Sequence, residues 1–223
     1  VSSSEFLRQR YIDWGLPADK IVVIENGQSD EPPLPPRPLA EGETRNRFGF
    51  FGQINPFKGL DVLLQALHEM PKAERKKIVL EVHGANLEHQ SADFQRKIED
   101  LRRPLIKQGV VQWVGPYQPH ELRSRMANVD WVVVPSIWWE NSPMVIQEAL
   151  VCGRPLLVSN LGGMAEKVKD GSTGMHVVTG SALAWRRSIV SAGTMEQEWL
   201  TWTKQIATPP SHNFCAHGHL QLI

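Results

Sequence analysis

Short apolar runs, separated by helix-length segments, are the feature that most constrains how this chain can fold. Several of them, such as "WVVVP" at 131–135, show no alternation between apolar and polar residues. An unbroken apolar run is typical of a parallel strand, because helices cover both faces of a parallel sheet. On this basis six strands are predicted, at 47–54, 78–82, 110–114, 131–135, 155–159 and 175–178.

The segments between these runs show helical periodicity. The clearest stripe has the i, i+3, i+4, i+7 spacing of a helix with one buried face and consists of Leu60, Leu63, Leu64 and Leu67. Polar, charged helices are predicted at 93–107 and 119–128, the second of which begins with Pro119. Strands and helices that alternate in this way predict an α/β fold with a doubly wound parallel sheet.

Composition excludes several classes of protein. Lys plus Arg and Asp plus Glu number 24 each, so the formal charge is zero, whereas nucleic-acid binders usually show a basic excess. The two cysteines, Cys152 and Cys215, form neither a disulfide framework nor a cysteine zinc site, which favours a reducing, cytoplasmic compartment. The apolar runs are far shorter than the roughly 20 residues that a membrane span needs.

The two ends of the chain differ from its middle. Residues 1–30 read as one helix, a turn and one strand at Ile21–Ile24, which cannot bury their apolar faces alone. Five prolines between 32 and 38 predict a stiff, extended linker rather than a packed segment. The predicted division is a remnant of another domain at 1–30, a linker at 31–45, a ligand-binding domain at 46–180 and a helical tail at 181–223.

The stretch "ENSPMVIQEAL" places two carboxylates, Glu140 and Glu148, directly after a buried strand. Pro143 suits the first turn of a helix and Ser142 before it is a good N-cap, so Glu140 lies in the loop and Glu148 on the helix. Ligands of open α/β sheets bind outside the carboxyl ends of the strands. The sequence therefore predicts a ligand site at this loop.

The spacing argues against a glycosidase acid–base pair. If the stretch were one continuous helix, its eight residues would separate the carboxylates by about 12 Å, more than the roughly 5–9.5 Å that such pairs use. Separate hydroxyl groups of one extended ligand are the better interpretation. The helix N-terminus between the two carboxylates favours a phosphate, and hydroxyls at each end of a phosphate describe a nucleotide sugar.

These motifs are specific in combination. Glu140-x7-Glu148, followed by "EALVCGRPLLVSNLGGMAE", resembles the retaining GT-B glycosyltransferases of the GT4 family over residues 45–180. The stretch "GQINPFKGLDVLLQAL" resembles that family's second donor-site element, and residues 3–27 resemble the end of its N-terminal acceptor domain. The resemblance implies the donor-binding C-terminal domain of such an enzyme, with a Rossmann-like fold.

The resemblance also implies roles for single residues. Glu148 would bind the ribose hydroxyls, Glu140 the hydroxyls of the donor sugar, and Lys58 the diphosphate leaving group, so Glu140 and Lys58 are the catalytic candidates. The family commonly has Arg where this chain has Gln53, and Gly115–Tyr117 would lie near the nucleobase. The full set of candidate donor-binding residues is Gln53, Lys58, Gly115, Tyr117, Glu140, Asn141, Ser142, Met144, Val145 and Glu148.

Cofactors and partners follow from the same resemblance. It implies a nucleotide-sugar donor, no bound metal, and a carbohydrate, lipid-linked or other acceptor. Peripheral attachment of the parent protein to the inner face of a membrane is a further expectation. A nucleotide-sugar binding module without catalysis, or a GT-B relative such as a phosphorylase or epimerase, stays an alternative. For His83 a structural role is favoured over a ligand role, and for Trp138 and Trp139 packing or a domain interface is favoured over stacking.

Overall fold

The computed structural model describes residues 1–222, which form a six-stranded parallel sheet covered by helices on both faces. The strands are β1 Arg47–Gln53, β2 Val79–Ala85, β3 Val111–Trp113, β4 Trp131–Val134, β5 Leu156–Ser159 and β6 Gly174–Val177. The helices are α1 Glu5–Asp13, α2 Leu60–His68, α3 Lys72–Arg75, α4 Ala92–Lys107, α5 Leu122–Met126, α6 Met144–Val151, α7 Gly162–Lys167, α8 Ala182–Ala192, α9 Glu196–Gln205 and α10 His212–Leu220.

The order of the strands across the sheet is β3-β2-β1-β4-β5-β6, and every neighbouring pair is parallel. This confirms the doubly wound α/β fold and all six strands read from the apolar runs. The chain reverses its direction of travel across the sheet between β1 and β4. Such a reversal opens a crevice at the carboxyl ends of the two strands, which is where ligands of this fold bind.

Two separate cores hold the helices against the sheet. One face buries α2, α4, α8 and α9, and the other buries α6 and α7. The predicted leucine stripe is confirmed, because all four leucines of α2 are fully buried in the first core. Burial of a leucine side chain contributes about 1.5–3 kcal/mol, so α2 is a firm support for the loop that precedes it.

A buried carboxylate connects the amino ends of β1 and β4. Asp130 is fully buried and accepts bonds from Arg37 at 2.9 Å and Arg45 at 3.2 Å. Its carboxylate also accepts the N–H of Arg47 at 3.1 Å, and its own N–H donates to the Arg47 carbonyl at 2.8 Å. The indole of Trp199 donates to the Asp130 carbonyl, so α9 is attached to the same point.

The proline-rich segment is extended, but it is not a free linker. Arg154 is fully buried and donates to the carbonyls of Leu34 at 3.3 Å and Pro35 at 2.9 Å, and Arg37 reaches Asp130. Because Arg154 is fully buried and the Arg37 side chain is only 11% exposed, these bonds fix the segment to the sheet domain. The expectation of an unpacked linker is wrong for this reason.

The two ends of the chain also differ from expectation. Residues 21–24 form no strand, since Val23 makes only an isolated bridge to Ser2. Helices α8 and α9 bury Trp185 and Trp199 in the same core as α2, although their sequence periodicity is weak. The domain boundary at residue 180 stays a prediction, but the structure packs these helices into the sheet domain. Among residues 1–222 no helix combines the length and the apolar character needed to cross a membrane.

The Asp130 contacts generate a stability prediction. Asp130→Asn should lower the free energy of unfolding by about 3 kcal/mol, because it leaves two largely buried guanidinium groups without their carboxylate. Urea denaturation followed by circular dichroism measures this.

The matched control is Asp19→Asn, whose carboxylate is exposed and lies 3.9 Å from Lys20. It should change the free energy of unfolding by less than about 0.5 kcal/mol. Equal effects of the two substitutions would contradict the assignment of Asp130 as the connecting group.

Candidate functional site

Two loops that follow β1 and β4 meet at the crevice. The first carries Lys58 and the second carries Glu140, and their side chains form an ion pair with Nζ 2.7 Å from Oε1. Ser136 donates its hydroxyl to the same oxygen at 2.9 Å. Both charged side chains keep partial access to solvent, at 32% for Lys58 and 19% for Glu140. The structure therefore brings together the two residues that were predicted to be catalytic.

Glycines allow the two loops to approach each other. Gly59, between Lys58 and α2, has φ 68°, and a Cβ there would lie 2.0 Å from the Pro135 carbonyl oxygen. Phe57 is tied to the second loop, since its carbonyl accepts the Ile137 N–H at 2.8 Å. On the other side Gly163 donates its N–H to the Glu140 carbonyl at 2.8 Å, and a Cβ there would overlap Asn141. The Glu140 loop is thus held from both sides by backbone contacts.

The start of α6 differs from the predicted one. The helix begins at Met144 with Pro143 as its N-cap, and no side chain caps it. The Ser142 hydroxyl is buried and makes no hydrogen bond within residues 1–222. Ser142 as N-cap is therefore wrong, since the proline takes that position. Of the other candidates here, Met144 is exposed, whereas Val145 packs against the second core.

The Asn141 side chain contacts the first residues of the chain. Ser4 donates its hydroxyl to Asn141 Oδ1 at 2.7 Å, and Asn141 Nδ2 donates to the Ser3 hydroxyl at 2.8 Å. Ser4 is fully buried and also caps α1. Donor binding by Asn141 stays a prediction, but its amide already holds the Glu140 loop to the N-terminal segment.

Glu166 strengthens this attachment. It lies near the end of α7 and accepts the N–H groups of Glu5 at 3.0 Å and Phe6 at 2.6 Å. Its carboxylate therefore complements the positive N-terminus of α1. Burial raises the pKa of Glu166, but the N–H groups and Lys167 outweigh that effect and hold the pKa below its usual value.

Two clefts meet at Pro119, and the first of them adjoins the carboxyl ends of β1 and β2. One, of about 260 Å³, is lined by Gly52, Gln53, Ala85, Pro116, Tyr117 and Pro119. The other, of about 310 Å³, includes Pro119, Met144 and Glu148 in its lining. Pro119 borders both, so the two clefts are neighbours and bring Gln53, Tyr117, Met144 and Glu148 to one region. The Lys58–Glu140 pair lies outside the lining of both clefts. Gly115, with φ 87°, makes the turn after β3 that leads to Tyr117.

Burial shifts the pKa of two titratable groups in these clefts, Glu148 and Tyr117. Burial raises the pKa of Glu148 above its usual value. Burial also raises the pKa of Tyr117 to about 12, with a further upward effect from the charge on Glu148 and an opposing one from Arg125. A carboxylate that has lost much of its water is a strong acceptor for hydroxyl groups of a ligand.

A buried polar layer supports Tyr117 from below. His83 stacks on Phe51 with ring centroids 4.4 Å apart and lies 3.1 Å from the Glu81 carboxylate. Phe51 in turn meets the edge of Tyr117, and Arg125 lies over the Tyr117 ring. His83 is only 2% exposed, which places it beneath the cleft rather than in its lining.

Several residues of the site were not predicted. No sequence signal indicated the Ser136 bond to Glu140 or the Ser3 and Ser4 contacts with Asn141, because serines after a strand or before a helix are common in every fold. Within residues 1–222 no group of three or more His, Cys, Asp or Glu side chains is arranged to hold a metal ion. The expectation that the protein works without a bound metal stays a prediction.

The chain belongs to a known family of transferases. Residues 35–204 match the family described as Glycosyl transferases group 1, a longer stretch than the 45–180 of the motif resemblance. A D-inositol 3-phosphate glycosyltransferase of Corynebacterium aurimucosum is 29% identical over 196 residues, which is 83% of this chain and 46% of the relative. A lipopolysaccharide 1,2-N-acetylglucosaminetransferase of Salmonella typhimurium is 31% identical over 186 residues, 79% of this chain and 48% of the relative.

The chain thus spans about half the length of the relatives it matches. Among solved structures it is similar to Anabaena Alr3699/HepE in complex with UDP and glucose, with a TM-score of 0.76 and 20% identity over 99% of this chain and 62% of that one. A sucrose-phosphate synthase of Thermosynechococcus elongatus gives 0.77 at 19% identity, over 99% and 56% of the two chains. These neighbours show that the chain has the Rossmann-like fold of a GT-B glycosyltransferase.

The contact of Gly59 with Pro135 generates a second prediction. Gly59→Ala should destabilise the fold by about 3 kcal/mol, because it combines a strained backbone with an overlap against a carbonyl oxygen. Gly109→Ala is the matched control, since Gly109 has a similar φ of 72° but open space around its Cβ position. It should cost only about 1 kcal/mol. Thermal unfolding of both variants measures the difference, and equal costs would show that the two loops do not meet at Gly59.

The raised pKa of Glu148 generates a third. A carboxyl group with a raised pKa in the fold binds protons more readily there than in the unfolded chain, so it lowers stability as pH rises above its ordinary value of 4.5. Glu148→Gln removes that effect. The free energy of unfolding of the variant, relative to the native chain, should therefore increase with pH between about 4.5 and the raised pKa.

Denaturant titrations at several pH values test this, with the exposed Glu41→Gln as the control, for which a flat difference is expected. A flat difference for Glu148→Gln as well would mean that the side chain is not desolvated.

Proposed function

We propose that this chain is the donor-binding part of a glycosyltransferase that moves a sugar from a nucleoside diphosphate to an acceptor hydroxyl with retention of configuration. The observation that carries the proposal is the Lys58–Glu140 ion pair at the point where strand order reverses. A cation there can meet a diphosphate, and a carboxylate there can meet sugar hydroxyls.

The geometry supports a division of labour along one extended ligand. The clefts beside Tyr117 and Glu148 would hold the nucleoside, with Glu148 accepting the ribose hydroxyls and the backbone of Gly115–Tyr117 facing the base. Gln53, exposed at the end of β1, would contact the diphosphate without adding charge. Lys58 would therefore carry most of the positive charge, together with the N–H groups in the first turn of α6. No metal is required in this arrangement.

Donor binding would rearrange the ion pair. Both bonds to Glu140 use Oε1, from Lys58 and from Ser136, so Oε2 can accept a hydrogen bond from a ligand without competing for these partners. When a diphosphate approaches, Lys58 gains a second anion, and Glu140 can accept hydroxyls of the donor sugar. The backbone bond from Gly163 keeps Glu140 in place during this exchange.

Transfer itself would proceed on one face of the donor sugar. The bond between the anomeric carbon and the diphosphate oxygen breaks, and its electron pair stays on the diphosphate, where Lys58 stabilises the growing charge. The acceptor oxygen forms its bond to the same face of the anomeric carbon. The acceptor proton passes to the departing phosphate oxygen. No side chain forms a covalent intermediate in this scheme, and the two bonds account for retention.

The relatives support this class of reaction. One is named as a glycosyltransferase and the other as an N-acetylglucosaminetransferase, and the Anabaena neighbour was solved with UDP and glucose. UDP is accordingly the first nucleotide to test. Whether the chain transfers a sugar by itself, or only binds the donor, is decided by measuring product with a supplied acceptor.

A binding experiment tests the donor site. Titration calorimetry should show that this chain binds UDP, and Lys58→Ala should weaken that binding about tenfold because one charge-assisted contact is lost. Uridine, which has no phosphate, should bind Lys58→Ala and the native chain equally. Glu148→Gln should weaken the binding of both UDP and uridine. GDP and ADP in parallel identify the base, and unchanged affinity in the presence of EDTA is expected if no metal takes part.

Lys20→Ala is the control, because its side chain is exposed and lies outside both loops. UDP binding that Lys58→Ala and Glu148→Gln both leave unchanged would contradict the proposed site.

A further inference from the structure

An exposed group of apolar side chains adjoins the ion pair. It consists of Phe57, Ile137, Trp138 and Trp139, and is called the aromatic shelf below. Phe57 is 55% exposed, Trp138 61% and Trp139 52%. The side chains of Ile137, Trp138 and Trp139 line a concavity of about 360 Å³. Large exposed apolar surface is costly, and it is usually retained where something binds.

The shelf is an ordered feature. Trp138 meets Phe57 with ring centroids 5.5 Å apart and lies 6.5 Å from Trp139, whose ring contacts Phe6 at 6.0 Å. The bond from Ile137 to Phe57 joins the two loops beneath the rings. A surface that is fixed before its ligand arrives loses little conformational entropy on binding.

The position of the shelf is set by the chain itself. Phe57 immediately precedes Lys58, and Trp139 immediately precedes Glu140. The same two loops therefore present the apolar rings and the charged pair. A ligand that covers the shelf has its next atoms at Lys58 and Glu140.

We propose that the aromatic shelf binds a pyranose ring of the acceptor, stacked through its C–H groups next to the Lys58–Glu140 pair. This inference rests on the proposed transfer reaction. Aromatic faces carry negative charge and attract the slightly positive C–H groups on one face of a sugar. The hydroxyls at the sugar's edge then supply hydrogen bonds to the neighbouring charged groups.

A purely apolar covering fits this place less well. A lipid tail or an apolar protein surface over the shelf would take water away from Lys58 and Glu140 and give them no new partner, which is costly for charged groups. A sugar can stack on the aromatic rings and form hydrogen bonds with the ion pair at the same time. The shelf thus favours a carbohydrate over the other occupants.

Saturation-transfer NMR tests the proposal on this chain, because it detects the weak binding expected for a single sugar. The probes are the methyl α- and β-pyranosides of glucose, galactose, mannose and N-acetylglucosamine. When the aromatic protons of the protein are irradiated, their saturation should transfer to the C–H protons on one face of at least one glycoside. Trp138→Ala should reduce that signal at least fivefold, and Trp138→Phe should retain most of it.

Trp14→Ala is the matched control, because Trp14 is an equally exposed tryptophan, at 69%, at the far end of α1. It should leave the signal unchanged. Absence of signal for every glycoside, or a signal that Trp138→Ala does not alter, would overturn the proposal.

Two other results would overturn it in favour of a different occupant. One is binding to phosphatidylcholine–phosphatidylglycerol vesicles that Trp138→Ala abolishes, and the other is self-association that the same substitution abolishes. UDP titration of the same samples separates the two claims, since a native chain that binds a glycoside at Trp138 but no UDP would contradict the proposed donor site alone.

Discussion

The pairing of Asp130 with Arg47 determines where β4 lies relative to β1. Asp130 contacts Arg47 twice, through its N–H and through its carboxylate, at the amino ends of the two strands. Parallel strands that are fixed at one end have their carboxyl ends fixed as well. The loops that follow them can then meet at Gly59 and form the Lys58–Glu140 pair. The site at the carboxyl ends of these strands thus depends on a buried charge at their amino ends.

This dependence shows why some features could be predicted from the sequence and others could not. Strands such as Trp131–Val134 and the leucine face of α2 leave a local periodic signal. Lys58 and Glu140 were predicted because their motifs resemble a family, and the structure brings them within 2.7 Å. The start of α6 was misplaced by one residue, because Ser142 and Pro143 are both acceptable caps and only the tertiary contacts choose between them.

Contacts between residues far apart in the chain left no such signal. Arg154 is one charged residue in an apolar stretch, and nothing near it in sequence announces that it binds the carbonyls of Leu34 and Pro35. The weak periodicity of α8 and α9 concealed the burial of Trp185 and Trp199, since a few large side chains can hold a helix whose other positions are polar. The packing of both ends of the chain was therefore apparent only from the structure and not from the sequence.

Helix α1 connects an exposed part of the surface to the loop that carries Glu140. The N-terminus of this helix is fastened to the Glu140 loop by Ser4 and to α7 by Glu166, whereas its far end carries the exposed ring of Trp14. Nine residues of helix extend about 13 Å. A tilt of about 5° about the attached end would displace the other end by roughly 1 Å. Conversely, a movement of Trp14 would turn the helix about its contact with Asn141. A displacement of the exposed end of α1 would in this way reach the loop that carries Glu140 through the bond between Ser4 and Asn141.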